Sequence, residues 1–167
     1  MSYQQYPTSG YVQPPQPRPV APSSIRTAVK LMYAGAVLSA LSFIVGLATL
    51  GSLRQAIINA SNKPLTATQL HAAEVAGVVV IVLAGLVGVS AWLWMAWKNG
   101  RGRSWARIVA TVLFGLDTLS LLSAIFRPNT GGTKIIGLLI WLVGLGATIY
   151  LWRPDANLYF KQSESFK

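Results

Sequence analysis

Cysteine is absent from this chain, histidine occurs once, and aspartate and glutamate together number four. Each shortage removes a class of chemistry. Without cysteine there are no disulfides, thiolate metal sites or cysteine nucleophiles. One histidine and four acids cannot supply H-E-x-x-H, a histidine cluster or a pair of inward carboxylates for acid–base work. No phosphate-binding motif is present either, since "GRGR" (100–103 and neighbours) lacks G-x-x-x-x-G-K-[ST] and a preceding strand. The composition therefore points away from an enzyme and implies no cofactor. Charge is also scarce. Only 11% of residues are charged and 53% are hydrophobic, against about 25% charged in soluble domains.

What is there instead is long apolar runs. Residues 31–53, 75–97, 108–126 and 135–152 carry no charge apart from Asp117. About 20 such residues cross a hydrocarbon core about 30 Å thick. The fold class expected is an all-α membrane protein, a bundle of four transmembrane helices within residues 25–153. The first run follows 30 residues of other sequence and is too long for a cleaved signal, so it reads as a retained span.

Net charge is +10. The cations flank the apolar runs and do not cover one polar face, which favours an anionic lipid surface and argues against nucleic acid. Ten of the fourteen lysines and arginines fall in the N-tail, the 98–107 loop and the C-tail; Arg54, Lys63, Arg127 and Lys134 fall in the other loops. The positive-inside rule then places both termini and "KNGRGRSWAR" in the cytoplasm. Within that loop Lys98, Arg101, Arg103, Trp105 and Arg107 are the expected headgroup contacts.

Residues 1–24 hold six of the nine prolines, with Gln, Tyr and Ser. That composition cannot build a core and predicts a disordered tail, either a solvated leader or a docking segment for an aromatic-lined groove. Residues 154–167 read as a short C-tail. In the first outer loop, "TATQ" (66–69) matches a helix capping box. "RPNTGGTK" (127–134) reads as a tight turn. "GLATLGSL" echoes "GLDTLSLL" and "LVGVSAWLWM" echoes "LVGLGATIYL" at equivalent places. Two tandem αα-hairpins would produce this, as would chance in so restricted an alphabet.

Asp117 is the conspicuous residue. It sits nine residues from each end of its run, where an ionised side chain costs about 2.5–3.5 kcal/mol on insertion scales. At 100° per residue it shares a stripe with Ala110, Ser120 and Ala124, while Val109, Val112, Leu116, Leu119 and Leu122 point elsewhere. Small residues line helix contacts and large apolar ones meet lipid, so Asp117 is expected to face the bundle. Hydroxyls such as Ser120, Thr118, Thr49, Ser42 or Ser90 are its expected partners. Two roles fit: a neutral carboxyl bonding helices together, or a proton or cation relay. Gly35, Ser39, Ser42, Gly46 and Thr49 on the first span, and Gly77, Ala84, Gly88 and Ala91 on the second, form small-residue seams for packing within the chain or for a homo-oligomer. His71 and Glu74, one turn apart, lack a third metal ligand.

Through "MSYQQYP", "GRGRSWARIVATVLFGLDTLSLL" and "YLWRPDANLYF", the chain resembles small four-helix integral membrane proteins of actinobacteria with a Pro/Gln/Tyr-rich N-terminal tail. The resemblance covers most of the chain, implies a plasma-membrane location, and brings no activity or catalytic residue with it. Two functions are expected from these residues. The first is a non-enzymatic membrane protein that scaffolds or regulates a membrane partner through its tail and helix faces. The alternative is a small transporter or channel component that uses Asp117 for proton or cation coupling.

Overall fold

The computed structural model describes residues 20–61, 63–125 and 131–164, with side chains at 124, 125 and 131–133 left aside. Among these residues the chain is all-α. Six helices follow in order: α1 (Ser23–Ala48), α2 (Leu53–Ala60), α3 (Ala67–Gly100), α4 (Ser104–Ile125), α5 (Gly131–Leu151) and α6 (Pro154–Glu164), with a single 3₁₀ turn at Leu50–Ser52. Four of them, α1, α3, α4 and α5, are long and apolar enough to cross a membrane. The chain is a four-helix membrane bundle. Residues 1–19, which carry most of the expected tail, and residues 127–130 of the expected turn lie outside the described residues.

The helices run differently from the apolar runs at three places. α1 begins at Ser23, inside the stretch expected to be tail, because Ser24, Ile25 and Ala28 are buried there and tie the first turns to the bundle. α5 begins at Gly131, so "GGTK" is helical and not turn. Residues 154–164, within the expected C-tail, form α6. Pro154 stands at the first helical position, where its missing N–H costs nothing. Asp155 follows in the first turn, where the helix dipole favours an anion. Ala156, Tyr159 and Phe160 form one buried stripe at i, i+3, i+4.

That stripe closes one end of the bundle. The buried core is concentrated there: Ile25, Ala28 and Met32 from α1, Met95 and Ala96 from α3, Ala147 and Leu151 from α5, and the three α6 residues. Polar contacts fix α6 in place. Tyr159 donates its hydroxyl to the Gly100 carbonyl at 3.1 Å. Ser104 Oγ donates to Glu164, and Arg107 Nη1 donates to Asn157 Oδ1. The Ser24 hydroxyl lies close to Asp155, and that proximity holds the Asp155 carboxyl below the usual carboxylate range, although the two do not meet at full hydrogen-bond geometry.

α3 and α4 are joined at this end by a Schellman turn. Gly102 N–H donates to Asn99 at 3.0 Å and Arg103 N–H to Lys98 at 3.3 Å. Gly102 has φ of +68°, and a Cβ there would also strike Ser163 of α6. The position thus requires glycine for its backbone and for its neighbour.

At the opposite end the expected capping box is present. Gln69 N–H donates to Thr66 Oγ1 at 3.3 Å and Thr66 N–H to Gln69 Oε1 at 3.0 Å. The 34 residues of α3 span about 50 Å at 1.5 Å each, longer than the hydrocarbon core. Its first turns meet α2 through Arg54 and Glu74, 3.5 Å apart.

The spans form an arc. α1 packs extensively along both α3 and α5, α5 packs on α4, and α3 and α4 touch only sparsely. The α1–α3 seam is the small-residue seam expected in part. Gly35 lies under the Trp92 indole and Gly46 against Ile81, while Gly85, outside the expected register, lies under Phe43. Two hairpins, α1–α3 and α4–α5, are visible in this arrangement. A two-fold relation between them would make the α1–α5 and α3–α4 contacts equivalent, and they are not.

Candidate functional site

The α4–α5 pair is held by a device that span-level reading missed. Thr111 and Thr118, two turns apart on α4, each donate back to their own helix, to Arg107 and Phe114 carbonyls, at 2.9 and 2.8 Å. Each then accepts an indole N–H: Thr118 from Trp141 of α5 and Thr111 from Trp152, just past the end of α5, both at 2.9 Å. Phe114 stacks tilted on Trp141, with ring centroids 5.7 Å apart, and would meet any side chain added at Gly144. These contacts set the rotation of α4. The sequence signal was a Thr-x6-Thr spacing on α4 and a Trp-x10-Trp spacing, whose residues pair off in antiparallel order, the long indoles spanning the difference in spacing.

With that rotation, Ala110, Leu113, Phe114 and Asp117 turn toward the middle of the bundle. There they meet Met32 of α1, Gly88, Ala91, Trp92 and Met95 of α3, and Ile140, Gly144, Ala147 and Thr148 of α5, around a cavity of about 160 Å³. An apolar cavity of about 150 Å³ is enough to hold benzene. Among its lining side chains Asp117 is the single ionisable one. No hydrogen bond or ion pair reaches the Asp117 side chain among the described residues.

The expected partners are elsewhere. Ser120 is exposed on the flank of α4. Thr49 stands at the far end of α1, its hydroxyl turned back on Val45 and Gly46 carbonyls at 3.0 Å. Thr118 serves Trp141. The structure thus places Asp117 on the inward face, as its stripe implied, but brings neither Ser120 nor Thr49 to it. The stripe expected to face lipid is exposed at Val112, Leu116, Leu119 and Leu122, whereas Val109 packs against the buried core.

The basic loop divides into two groups. Lys98 Nζ and the Arg101 guanidinium both lie over the exposed Trp97 ring, 4.2 and 4.1 Å from its centroid. Trp105 lies beside Trp94 at 5.5 Å, and Arg103 is exposed. These four stand on the surface where headgroups would lie. Arg107 does not. Its guanidinium is turned inward, 4.7 Å from the Trp152 ring and 5.3 Å from Phe160, and it binds Asn157. Arg107 is a clamp between α4 and α6. Among the described residues no group of three potential metal ligands occurs; Glu74, beside His71 in sequence, is engaged by Arg54.

No protein-family model, curated protein or solved structure matches the chain.

Proposed function

We propose that this chain is a non-enzymatic integral membrane protein that binds a small organic cation at Asp117, within the bilayer, as the binding element of a transporter or channel component. The observation that carries this is an acidic side chain, without a partner among the described residues, on the wall of a cavity built, apart from Thr148, from apolar and aromatic residues. A role as interhelical adhesive needs a hydrogen bond across helices, and Asp117 makes none among the described residues. A cation in the cavity would balance the charge of an ionised Asp117, and Trp92 and Phe114 line the same cavity; an aromatic ring attracts an ammonium group by about 0.5–2 kcal/mol when the cation lies over its face. The tail on which partner scaffolding rests lies outside the described residues, so the cavity supports the better-founded reading.

Benzylammonium fits the chemistry, with a benzene-sized body and one charge. Equilibrium dialysis against the protein in nanodiscs is expected to show saturable binding by wild type. Asp117→Asn should weaken it at least thirtyfold, since losing a charge-assisted hydrogen bond costs about 2 kcal/mol, and leave the thermal midpoint unchanged. Equal binding by both proteins, or by neither, would sink the reading.

In this proposal both termini and the α6 end face the cytoplasm of a plasma membrane, following the ten-to-four cation bias. Lys98, Arg101, Arg103 and Trp105 meet anionic headgroups there. The resemblance to actinobacterial membrane proteins supports the same location. Reporter fusions after Lys167 and within residues 60–66 are expected to report opposite sides, with the C-terminal one cytoplasmic. Signals from one shared side would overturn the topology.

A further inference from the structure

We infer that the Asp117 cavity opens sideways into the bilayer, between α3 and α4, so that its ligand arrives dissolved in lipid and not through the sealed α6 end. The ligand's identity rests on the cation-binding reading above; the access route rests on packing alone.

The spans lie in the order α3, α1, α5, α4. Three of the contacts in that series are closed: α1 on α3 by the glycine seam, α1 on α5, and α5 on α4 by the two Trp–Thr hydrogen bonds. The fourth side is not. α3 and α4 are tethered by the turn at Arg101–Arg103, yet they diverge beyond it and touch sparsely. The α3 and α4 residues that line the cavity include the small Gly88, Ala91 and Ala110. A Cβ added at Gly88 would meet nothing within 4 Å. Leu113 lines the cavity and is still 40% exposed, which puts it at a rim.

The cytoplasmic side of the cavity is shut. Met32, Met95 and Ala147 form its floor, each no more than 3% exposed. Beneath them Ile25, Leu151 and Phe160 are 0–1% exposed. A solute from that side would have to break the densest packing in the molecule. The opening itself lies within the hydrocarbon. Gly88 is 12 residues from the end of α3, about 18 Å along the axis. Exposed apolar residues of the two helices include Val80, Leu83 and Val87 on α3 and Leu116 and Leu119 on α4. A hydrated ion gains nothing along such a surface. An amphiphilic ammonium, with its body in the acyl chains, can reach the carboxylate without crossing the sealed end.

The cysteine-free chain allows a direct test in liposomes that needs no ligand. A nitroxide is attached at Gly88→Cys or Ala91→Cys in the cavity, with Leu116→Cys as the lipid-facing reference. Relaxation by oxygen, which concentrates in lipid, is compared with relaxation by a water-soluble nickel chelate added on each side. The cavity labels are expected to show oxygen accessibility within about twofold of Leu116→Cys, and nickel accessibility near background from both sides. Nickel access from either side would mean an aqueous route, and exclusion of both reagents would mean a sealed cavity; each overturns the inference. Benzylammonium binding can fail while the oxygen result stands, and the reverse, so the two readings are separated.

Discussion

Phe160→Ala is expected to destabilise the bundle by about 3–5 kcal/mol, the range for removing a fully buried phenylalanine. The ring is 1% exposed and belongs to the cluster with Ile25, Met32 and Leu151. It also lies 5.9 Å from Tyr159, centroid to centroid, and under the Arg107 guanidinium at 5.3 Å. The void left behind is bounded by four helices and cannot collapse without shifting at least one of them. Leu158→Ala, two residues away on the same helix, is the control. Leu158 is 61% exposed, and surface substitutions of this kind usually fall within about 0.5 kcal/mol. Thermal unfolding of both variants in one detergent checks the contrast. Two equally small shifts would mean that α6 does not dock in solution.

That contrast marks what could be read from sequence. The four spans were legible because membrane solvation writes itself along 18 to 23 consecutive residues, and the lipid stripe Val112, Leu116, Leu119, Leu122 because helical period separates it from Ala110 and Asp117. The capping box was legible because its two hydrogen bonds join residues three apart. α6 was not, because its apolar stripe is only Ala156, Tyr159 and Phe160 among polar neighbours, and a single turn of pattern needs a docking surface to become a helix. Pro154-Asp155 was its local start signal.

The site divides the same way. That Asp117 faces inward followed from its stripe. What it faces did not, because the cavity is made by an asymmetry between helices distant in sequence: α1 is pressed on α5 while α3 and α4 part. Hydroxyl partners inferred from proximity in depth failed for a related reason. Thr118 was already committed to the indole of Trp141, and Thr49 to its own helix. Arg107 looked like a headgroup anchor from its place in a basic loop. It became a clamp only once Asn157 and Phe160 were helical beside it.

Filling the cavity should separate a packing defect from a site. Gly88→Leu places a side chain where a Cβ meets nothing within 4 Å, in a space of about 160 Å³. Leucine restores dispersion contacts that the lining now lacks, and replacing a mid-helix glycine adds roughly 0.5–1 kcal/mol. A stability gain of about 1 kcal/mol or more is therefore expected, visible as a higher unfolding midpoint in detergent. Were the void merely imperfect packing, that gain would come without loss. If the void is the site, the leucine occupies the volume beside Trp92, Phe114 and Asp117 that benzylammonium requires, and binding should fall at least a hundredfold while the carboxylate remains in place. Asp117→Asn removes charge and keeps volume; Gly88→Leu removes volume and keeps charge. Loss of binding in both, with stability unchanged in the first and raised in the second, is the pattern a binding cavity produces. Retained binding in Gly88→Leu would place the ligand somewhere other than this cavity.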